Sequence, residues 1–369
     1  MAAKRGKYLS FKNIIFVFAV LSFAIMIFFI AKDNITSGLN NENAENKVVK
    51  KQSFLMGTVI TQQVYGANGE IAADEVVRRL EEIEKRVTLN SADSEIYMLN
   101  EMAGKGTVSL SKDTIYILSV AKKYAELSNG AFDPTVGPLV KAWGISPGSG
   151  RIPGDEEIKS LLPLIDFNDL IIDEEKLTAR LEKAGQSVDL GGIAKGYAGD
   201  EAIRIYREYG IESAYINLGG NVVTLGNKPD GSPWRIGVQN PRDITGNYVG
   251  IIEVSNKTVV TSGDYERYFE RDGKRYHHII DPRTGYPSES GLISATIVCD
   301  LSIDADALST SVFVLGLEKG MELVEKLEGV EAILITNDKN IYVSSGLEGK
   351  FNFNEKATDF KYVGKYNRQ

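Results

Sequence analysis

The chain has 369 residues, a formal net charge of −8, one cysteine and two histidines. A single Cys excludes an internal disulfide, two His leave too few imidazoles for a His-based metal site, and an acidic surface argues against nucleic acid as a partner. A domain of over 300 residues buries enough apolar surface to fold without covalent staples.

The first 32 residues contain no Asp or Glu. Lys4, Arg5, Lys7 and Lys12 precede an apolar run over 14–31 in which Ser22 is the only polar side chain. About 17–25 such residues span a bilayer as a helix, and a basic flank stays cytoplasmic. The segment 1–32 is therefore expected to be a single-pass anchor in the cell membrane, with the rest of the chain on the outer face. A cleaved signal peptide is the rival reading, although no clear small-x-small site precedes Asp33. Without the five basic residues before Asp33, the formal charge falls from −8 to −13 for the exported part. Residues 33–51 are Asn/Lys/Glu-rich and read as a flexible stalk. The globular domain is expected over 52–369.

Within it, 58–65 reads as a strand and 71–86 as a helix, with Val76, Leu80 and Ile83 on one face. A second helix is predicted over 114–128, closed by Asn129-Gly130, and a third over 194–209, closed by Gly210. Strands follow over 214–218, 235–239, 250–254 and 294–298. Helices over 305–315 and 319–327 and strands over 332–336 and 341–344 complete the pattern. Helices mixed with mainly antiparallel-looking strands make the fold class α+β, or mixed α/β.

Several short motifs can carry chemistry. Asp306 and Thr310 are four residues apart, so a helix places both oxygens on one face, where they can hold a hard cation. Equally, Asp304 or Asp306 can be an N-cap. The run Asp189-Leu190-Gly191-Gly192-Ile193-Ala194-Lys195 reads as a strand, a Gly-Gly turn and a helix start. That arrangement suits a phosphate or is simply a tight turn, and Lys195 is either a phosphate contact or a solvated first-turn charge. In Ala131-Phe132-Asp133-Pro134, Asp133 either binds a ligand's donors or starts a turn. His277 and His278 are the only imidazoles, so any His general base is one of them. Asn217 to Asn221 reads as a strand ending in a tight turn that packing explains.

Taken in order, Met56-Gly57-Thr58, Ser94-Glu95-Ile96 with Leu99-Asn100, Ala-Phe-Asp-Pro-Thr-Val-Gly-Pro, Asp-Leu-Gly-Gly-Ile-Ala-Lys-Gly-Tyr, Asn-Leu-Gly-Gly-Asn, His-Ile-Ile-Asp-Pro-Arg-Thr-Gly and Asp-Ala-Leu-Ser-Thr resemble the ApbE family of FAD:protein FMN transferases. The resemblance runs from about residue 52 to 342. It implies an ApbE-like, T-fold-like domain that moves the FMN half of FAD to a Thr hydroxyl of an acceptor protein and releases AMP. The acceptors it implies are subunits of membrane redox pumps or exported flavoproteins. It also implies Mg²⁺ held by the Gly192 carbonyl, Asp306 and Thr310. FAD contacts are implied at Met56, Ala131, Phe132, Asp133, Asp189, Lys195 and Ile280, and His278 matches the family's proposed catalytic His.

One position departs from the family pattern. Four residues before Ser94 such transferases often carry an aromatic, usually Tyr; here it is Asn90. An amide cannot stack on FAD, but it can orient water or a second metal. An FAD pyrophosphatase giving FMN and AMP therefore stays open, and so, separately, does a non-enzymatic exported flavin-binding protein that uses the same pocket without the metal.

Overall fold

The computed structural model describes residues 47–146, 150–243, 246–355 and 359–367. The apolar run 14–31 and most of the expected stalk lie outside the described residues. Among the described residues, no helix is long and apolar enough to cross a membrane.

In chain order the elements are β1 (Val48–Leu55), β2 (Thr58–Tyr65), α1 (Gly69–Val87), α2 (Glu95–Glu101), β3 (Val108–Ser109), α3 (Lys112–Leu127), α4 (Gly137–Trp143), α5 (Asp155–Leu161), β4 (Leu170–Asp173) and β5 (Thr178–Leu181). They continue with α6 (Ala194–Glu208), β6 (Ser213–Leu218), β7 (Asn221–Leu225), β8 (Trp234–Gln239), β9 (Tyr248–Val254), β10 (Thr258–Gly263), β11 (Tyr268–Arg271) and β12 (Lys274–His277). The last are β13 (Leu292–Cys299), α7 (Ser302–Glu325), β14 (Glu331–Thr336), β15 (Asn340–Val343), β16 (Asn352–Phe353) and β17 (Lys361–Lys365).

Nine strands form one sheet in the order β1-β2-β6-β7-β10-β13-β14-β15-β17. Only the β15–β17 pair is parallel. The expected stalk ends earlier than its composition indicates, because Val48 to Lys51 pair with Tyr65 to Gln62 as the start of β1. Lys50 and Lys51 hide the alternation there, and charged residues are what an edge strand tolerates.

The sheet is covered on both faces. Helices α1, α3, α6 and α7 pack on one side, where Val76, Leu80, Ile117, Tyr206 and Phe313 are fully buried against Ile60, Ile216 and Ile297. On the other side β8, β9 and β16 form a small sheet whose Trp234, Val249 and Ile252 meet Ile333, Ile335 and Ile341. All eight residues of the central strand β13 are buried, as a strand covered on both faces requires. Truncating such a fully buried Leu or Ile to Ala costs about 2–5 kcal/mol. A third cluster, Leu139, Trp143, Ile158, Phe269 and Ile280, joins α4 and α5 to the β11–β12 hairpin.

The two helices expected over 305–315 and 319–327 are the two halves of α7, which part at the non-helical Gly316 (φ 81°, ψ −178°). A left-handed φ favours Gly, and a Cβ there would lie 2.9 Å from the Ser290 carbonyl oxygen.

Candidate active site

The site is built where α6 crosses the first half of α7. Gly196 makes the crossing close: a Cβ on it would sit 2.3 Å from the Ser302 carbonyl oxygen and 2.8 Å from Asp306 Cβ. The expected N-cap role for Asp304 or Asp306 is not what the fold uses. The N-cap position of α7 is Leu301, which has no capping side chain. Instead Asp200 of α6 accepts the N–H groups of Ser302 (2.7 Å) and Ile303 (2.9 Å). Asp306, one turn further on and buried, accepts the Gly196 N–H at 2.8 Å through Oδ2.

The i, i+4 reading of Asp306 and Thr310 on one helical face agrees with α7. The Gly-Gly turn reaches the same place: a Cβ on Gly192 would lie 3.3 Å from Thr310 Oγ1 and 3.2 Å from the Phe132 ring. Ser262 on β10 adds a hydroxyl 3.3 Å from Thr310 Oγ1 and 2.8 Å from Ser309 Oγ. Among the described residues no three His, Cys, Asp or Glu side chains cluster as a metal site. Any cation here must therefore be taken by one carboxylate, hydroxyls and backbone carbonyls. That all-oxygen set matches a hard divalent ion, and Asp306 Oδ1 has no protein donor among the described residues.

Other expected residues converge beside it. Asp189 is half-buried; its N–H donates to the Pro134 carbonyl and its Oδ1 accepts the Gly191 N–H at 2.7 Å. Burial raises its carboxyl above the usual range, while the Gly191 N–H and the Arg267 charge pull it back. Lys195 is not a freely solvated charge: its Nζ donates to Asn221 Oδ1 at 3.1 Å. Asn221 is 1 % exposed, and its Nδ2 has no partner. The first turn of α6 is a partial phosphate cradle at best, since the Ala194 N–H already serves Leu190 and the Gly196 N–H serves Asp306.

His278 follows β12 directly. Its Nδ1 lies 3.2 Å from the Arg267 carbonyl oxygen. A carbonyl only accepts, so Nδ1 carries the proton and Nε2 keeps its lone pair. Burial first, then the Arg267 charge, with the neighbouring His277 and Lys195 adding to the effect, lowers its pKa to about 3. His277 is structural: Nε2 donates to the Ser288 carbonyl at 3.0 Å, and Nδ1 accepts the Ile279 N–H.

The remaining expected contacts are placed differently. Asp133 is buried, with Oδ1 taken by the Thr135 N–H and hydroxyl and Oδ2 by the Phe167 N–H. Its carboxylate organises the loop, which is the turn reading of that motif. Ala131 is buried, and the Ile280 side chain lies in the third apolar cluster, so a ligand can meet these two mainly through backbone. Met56 has φ 53° in the two-residue turn between β1 and β2, and its N–H donates to Glu84. Asn90 is exposed, and its N–H donates to Thr88 Oγ1. Among the described residues no hydrogen bond joins Met56 or Asn90 to the Asp306 group. Residues that the motifs did not single out are Ser262, Arg267 and the lysine-binding role of Asn221; strand pairing, not local spacing, brings them in.

The ApbE family model matches residues 56–334. The chain is 37 % identical over 302 residues to the FAD:protein FMN transferase of Klebsiella pneumoniae, covering 82 % of this chain and 93 % of that one. It is 35 % identical to the protein of the same name from Treponema pallidum, covering 80 % and 87 %. Among solved structures it resembles the ApbE protein of Thermotoga maritima (TM-score 0.76, 33 % identity, 82 % of this chain and 98 % of that one). The flavin transferase ApbE of Vibrio cholerae is similar as well (TM-score 0.73, 31 % identity, 81 % and 97 %). The chain belongs to the ApbE family.

Proposed function

We propose that the protein transfers the FMN moiety of FAD to a Thr hydroxyl of an acceptor protein and releases AMP, with Mg²⁺ as cofactor. The observation that carries this reading is the approach of Gly192 to Thr310, one helical turn from Asp306, next to Lys195, whose charge acts on His278. The Gly192 carbonyl, Asp306 and Thr310 would hold Mg²⁺, which when bound supplies charge neutralisation for the pyrophosphate of FAD. The chain is acidic overall, so a polyanionic substrate needs such local compensation.

The transfer breaks the bond between the FMN phosphorus and the bridging oxygen, which leaves with AMP. A new bond forms from the acceptor Thr Oγ to that phosphorus. His278 Nε2 takes the hydroxyl proton, a role worth about 10²–10⁴-fold for a positioned base. The Arg267 carbonyl fixes its tautomer. The low pKa of the ring leaves it neutral and able to accept, and a bound phosphate's negative charge raises its proton affinity. Lys195, held by Asn221, offers its ammonium to a phosphate oxygen, and Asp189 offers an acceptor to flavin or adenine donors.

Hydrolysis of FAD to FMN and AMP is a second reading, favoured by Asn90 alone. This residue is exposed and offers an amide where a stacking ring would hold the substrate. The anchor expected over 1–32 belongs to the proposal too: it would keep the domain on the outer face of the cell membrane, beside membrane redox-pump subunits or exported flavoproteins.

The test incubates the full-length protein with FAD, MgCl₂ and candidate acceptors, and measures acceptor mass. A gain of FMN minus water on one Thr is expected. AMP and free FMN forming at equal rates with and without acceptor, with no mass gain, would replace transfer by hydrolysis. Unchanged FAD would reject both.

A further inference from the structure

Among the described residues neither edge of the β11–β12 hairpin pairs with a further strand, and the β12 edge faces a cleft of about 610 Å³. Lys274, Arg275, Tyr276 and His277 all line the cleft. Side chains of successive strand residues alternate between faces, so what these four share is the edge of β12. The hydrogen-bond register identifies the groups presented there. The His278 N–H donates to the Arg267 carbonyl, and Tyr276 faces Phe269 while Lys274 faces Arg271. Because hydrogen-bonded pairs alternate with non-bonded ones in an antiparallel ladder, Tyr276 and Lys274 bond toward β11. The N–H and C=O groups of Arg275 and His277 point the other way, into the cleft.

The opposite wall is the segment after Pro287. It pairs with the chain beyond β12 through Ser288 N–H to the Ile279 carbonyl and Asp281 N–H to the Tyr286 carbonyl. The two segments then part, and a Lys274–Glu289 ion pair links them again at the far end. Between these points Ser288, only 6 % exposed, keeps a hydroxyl with no partner. The cleft is balanced in charge, since Lys274 pairs with Glu289, Arg283 with Asp281, and Arg275 with Glu270 and Asp264. A dinucleotide would meet the Asp281 and Glu289 carboxylates. An uncharged extended backbone matches both the balanced charge and the open ladder.

We propose that this cleft is where the acceptor protein docks, as an extended segment that adds to the free edge of β12. The four residues of β12 set the span at roughly 13 Å, or about four acceptor residues. His278 is the residue that follows β12, so the docked segment lies along the strand that ends at the base, with His277 and not His278 lining the cleft itself. This inference rests on the proposed transfer reaction and adds the surface that recognises the protein substrate.

The probe is the acceptor labelled in the mass experiment, used as wild type for kinetics and with its reactive Thr changed to Val for binding. Arg275→Pro removes one outward N–H and no hairpin bond, and Pro is tolerated on an edge strand. Arg275→Ala controls for the lost side chain. Arg275→Pro is expected to raise the acceptor KM on the order of tenfold over Arg275→Ala, the loss of one backbone hydrogen bond, while acceptor-free FAD turnover stays equal in the two. Hydrogen exchange on the wild-type protein gives a readout that needs no variant: the non-reacting acceptor should slow exchange at Arg275 and His277 and leave Phe269 unchanged. Equal acceptor KM in both variants, or no protection of β12, overturns the docking site while leaving FMN transfer intact. Protection that grows with protein concentration and needs no acceptor would assign the edge to a second copy and also overturns it. Failure to label any acceptor removes the reaction itself, and the inference with it.

Discussion

Asp200 and Asp306 cap each other's helices. Asp200, on α6, takes the two N–H groups that open α7, and Asp306, on α7, takes the Gly196 N–H in the first turn of α6. Helix N-termini carry N–H groups with no intrahelical acceptor, and neither Leu301 nor Ile193 caps its own helix with a side chain. The exchange fixes how the helices cross, and the crossing sets Gly192 opposite Thr310.

Asp306 thus has one oxygen taken by the fold and, under the proposed function, one left for Mg²⁺, and two substitutions separate the two roles. Asp306→Asn keeps an acceptor for Gly196 and removes the charge. Its unfolding free energy in urea should stay within about 1 kcal/mol of wild type, while Mg²⁺-dependent FMN transfer is lost. Asp306→Ala removes both oxygens and should cost about 1–3 kcal/mol in addition. Wild-type transfer by Asp306→Asn would show that the carboxylate serves the fold alone.

Gly196→Ala tests the close approach itself. The new methyl has no flexible side chain to displace, because the nearest atoms are the Ser302 carbonyl oxygen and Ile303 Cα. Overpacking of this kind costs about 1–3 kcal/mol, and pushing α7 away also moves Asp306 from Gly192. A lower urea midpoint together with weakened transfer is expected. A variant as stable and as active as wild type would contradict the crossing described here.

The parts of this arrangement legible in the sequence are those carried by local periodicity. Helices α1, α3 and α6 announce themselves through apolar spacing, and α7 through two apolar segments on either side of Gly316. The Asp306–Thr310 pair is readable because four residues make one helical step. Strands β1, β7 and β10 to β12 are not, since they are short, polar at an edge, or dense in β-branched residues without clean alternation. Tertiary pairing is silent in the same way: Arg267 reaches His278 only across a hairpin, and Asn221 reaches Lys195 only because β7 lies beside α6. Asp133 shows the converse limit. An Asp before Pro supports both a ligand contact and a turn, and only the bonds to Thr135 and Phe167 distinguish them.

Arg79 joins three helices behind the site. It pairs with Asp113 of α3 at 2.8 Å and Glu201 of α6 at 2.7 Å, with the three side chains 12–17 % exposed. Burial opposes ionisation of both carboxyls, but bonds from Arg79, Tyr197 and Arg204 outweigh it and hold them below the usual range. Their contribution is therefore present above the unfolded carboxyl pKa of about 4 and is lost as pH falls through the depressed folded values. Arg79→Ala removes the cation the two carboxylates share, and because Asp113 keeps Arg86 and Glu201 keeps Arg204 it should cost about 1–3 kcal/mol at pH 7. The difference from wild type should shrink toward pH 3 in chemical denaturation. A cost that does not change with pH would mean that packing of the Arg stem, not charge, is what the residue supplies.

His278 also lowers stability in acid, over a higher pH window. Its folded pKa, about 3, lies below the unfolded value near 6.5. Between those limits the unfolded chain binds the extra proton, so stability is full above pH 6.5 and falls as pH drops toward 3. At pH 5 the difference amounts to about 2 kcal/mol before solvent screening and about 1 kcal/mol once the half-buried ring is allowed for. His278→Gln has no such proton to gain. Its stability should fall less than that of wild type between pH 7 and pH 5, while its FMN transfer at pH 7 drops about 10²–10⁴-fold. Parallel stability curves would place the imidazole in water instead of against Arg267. Unchanged transfer would leave the ring a positioning group and the acceptor proton without its base.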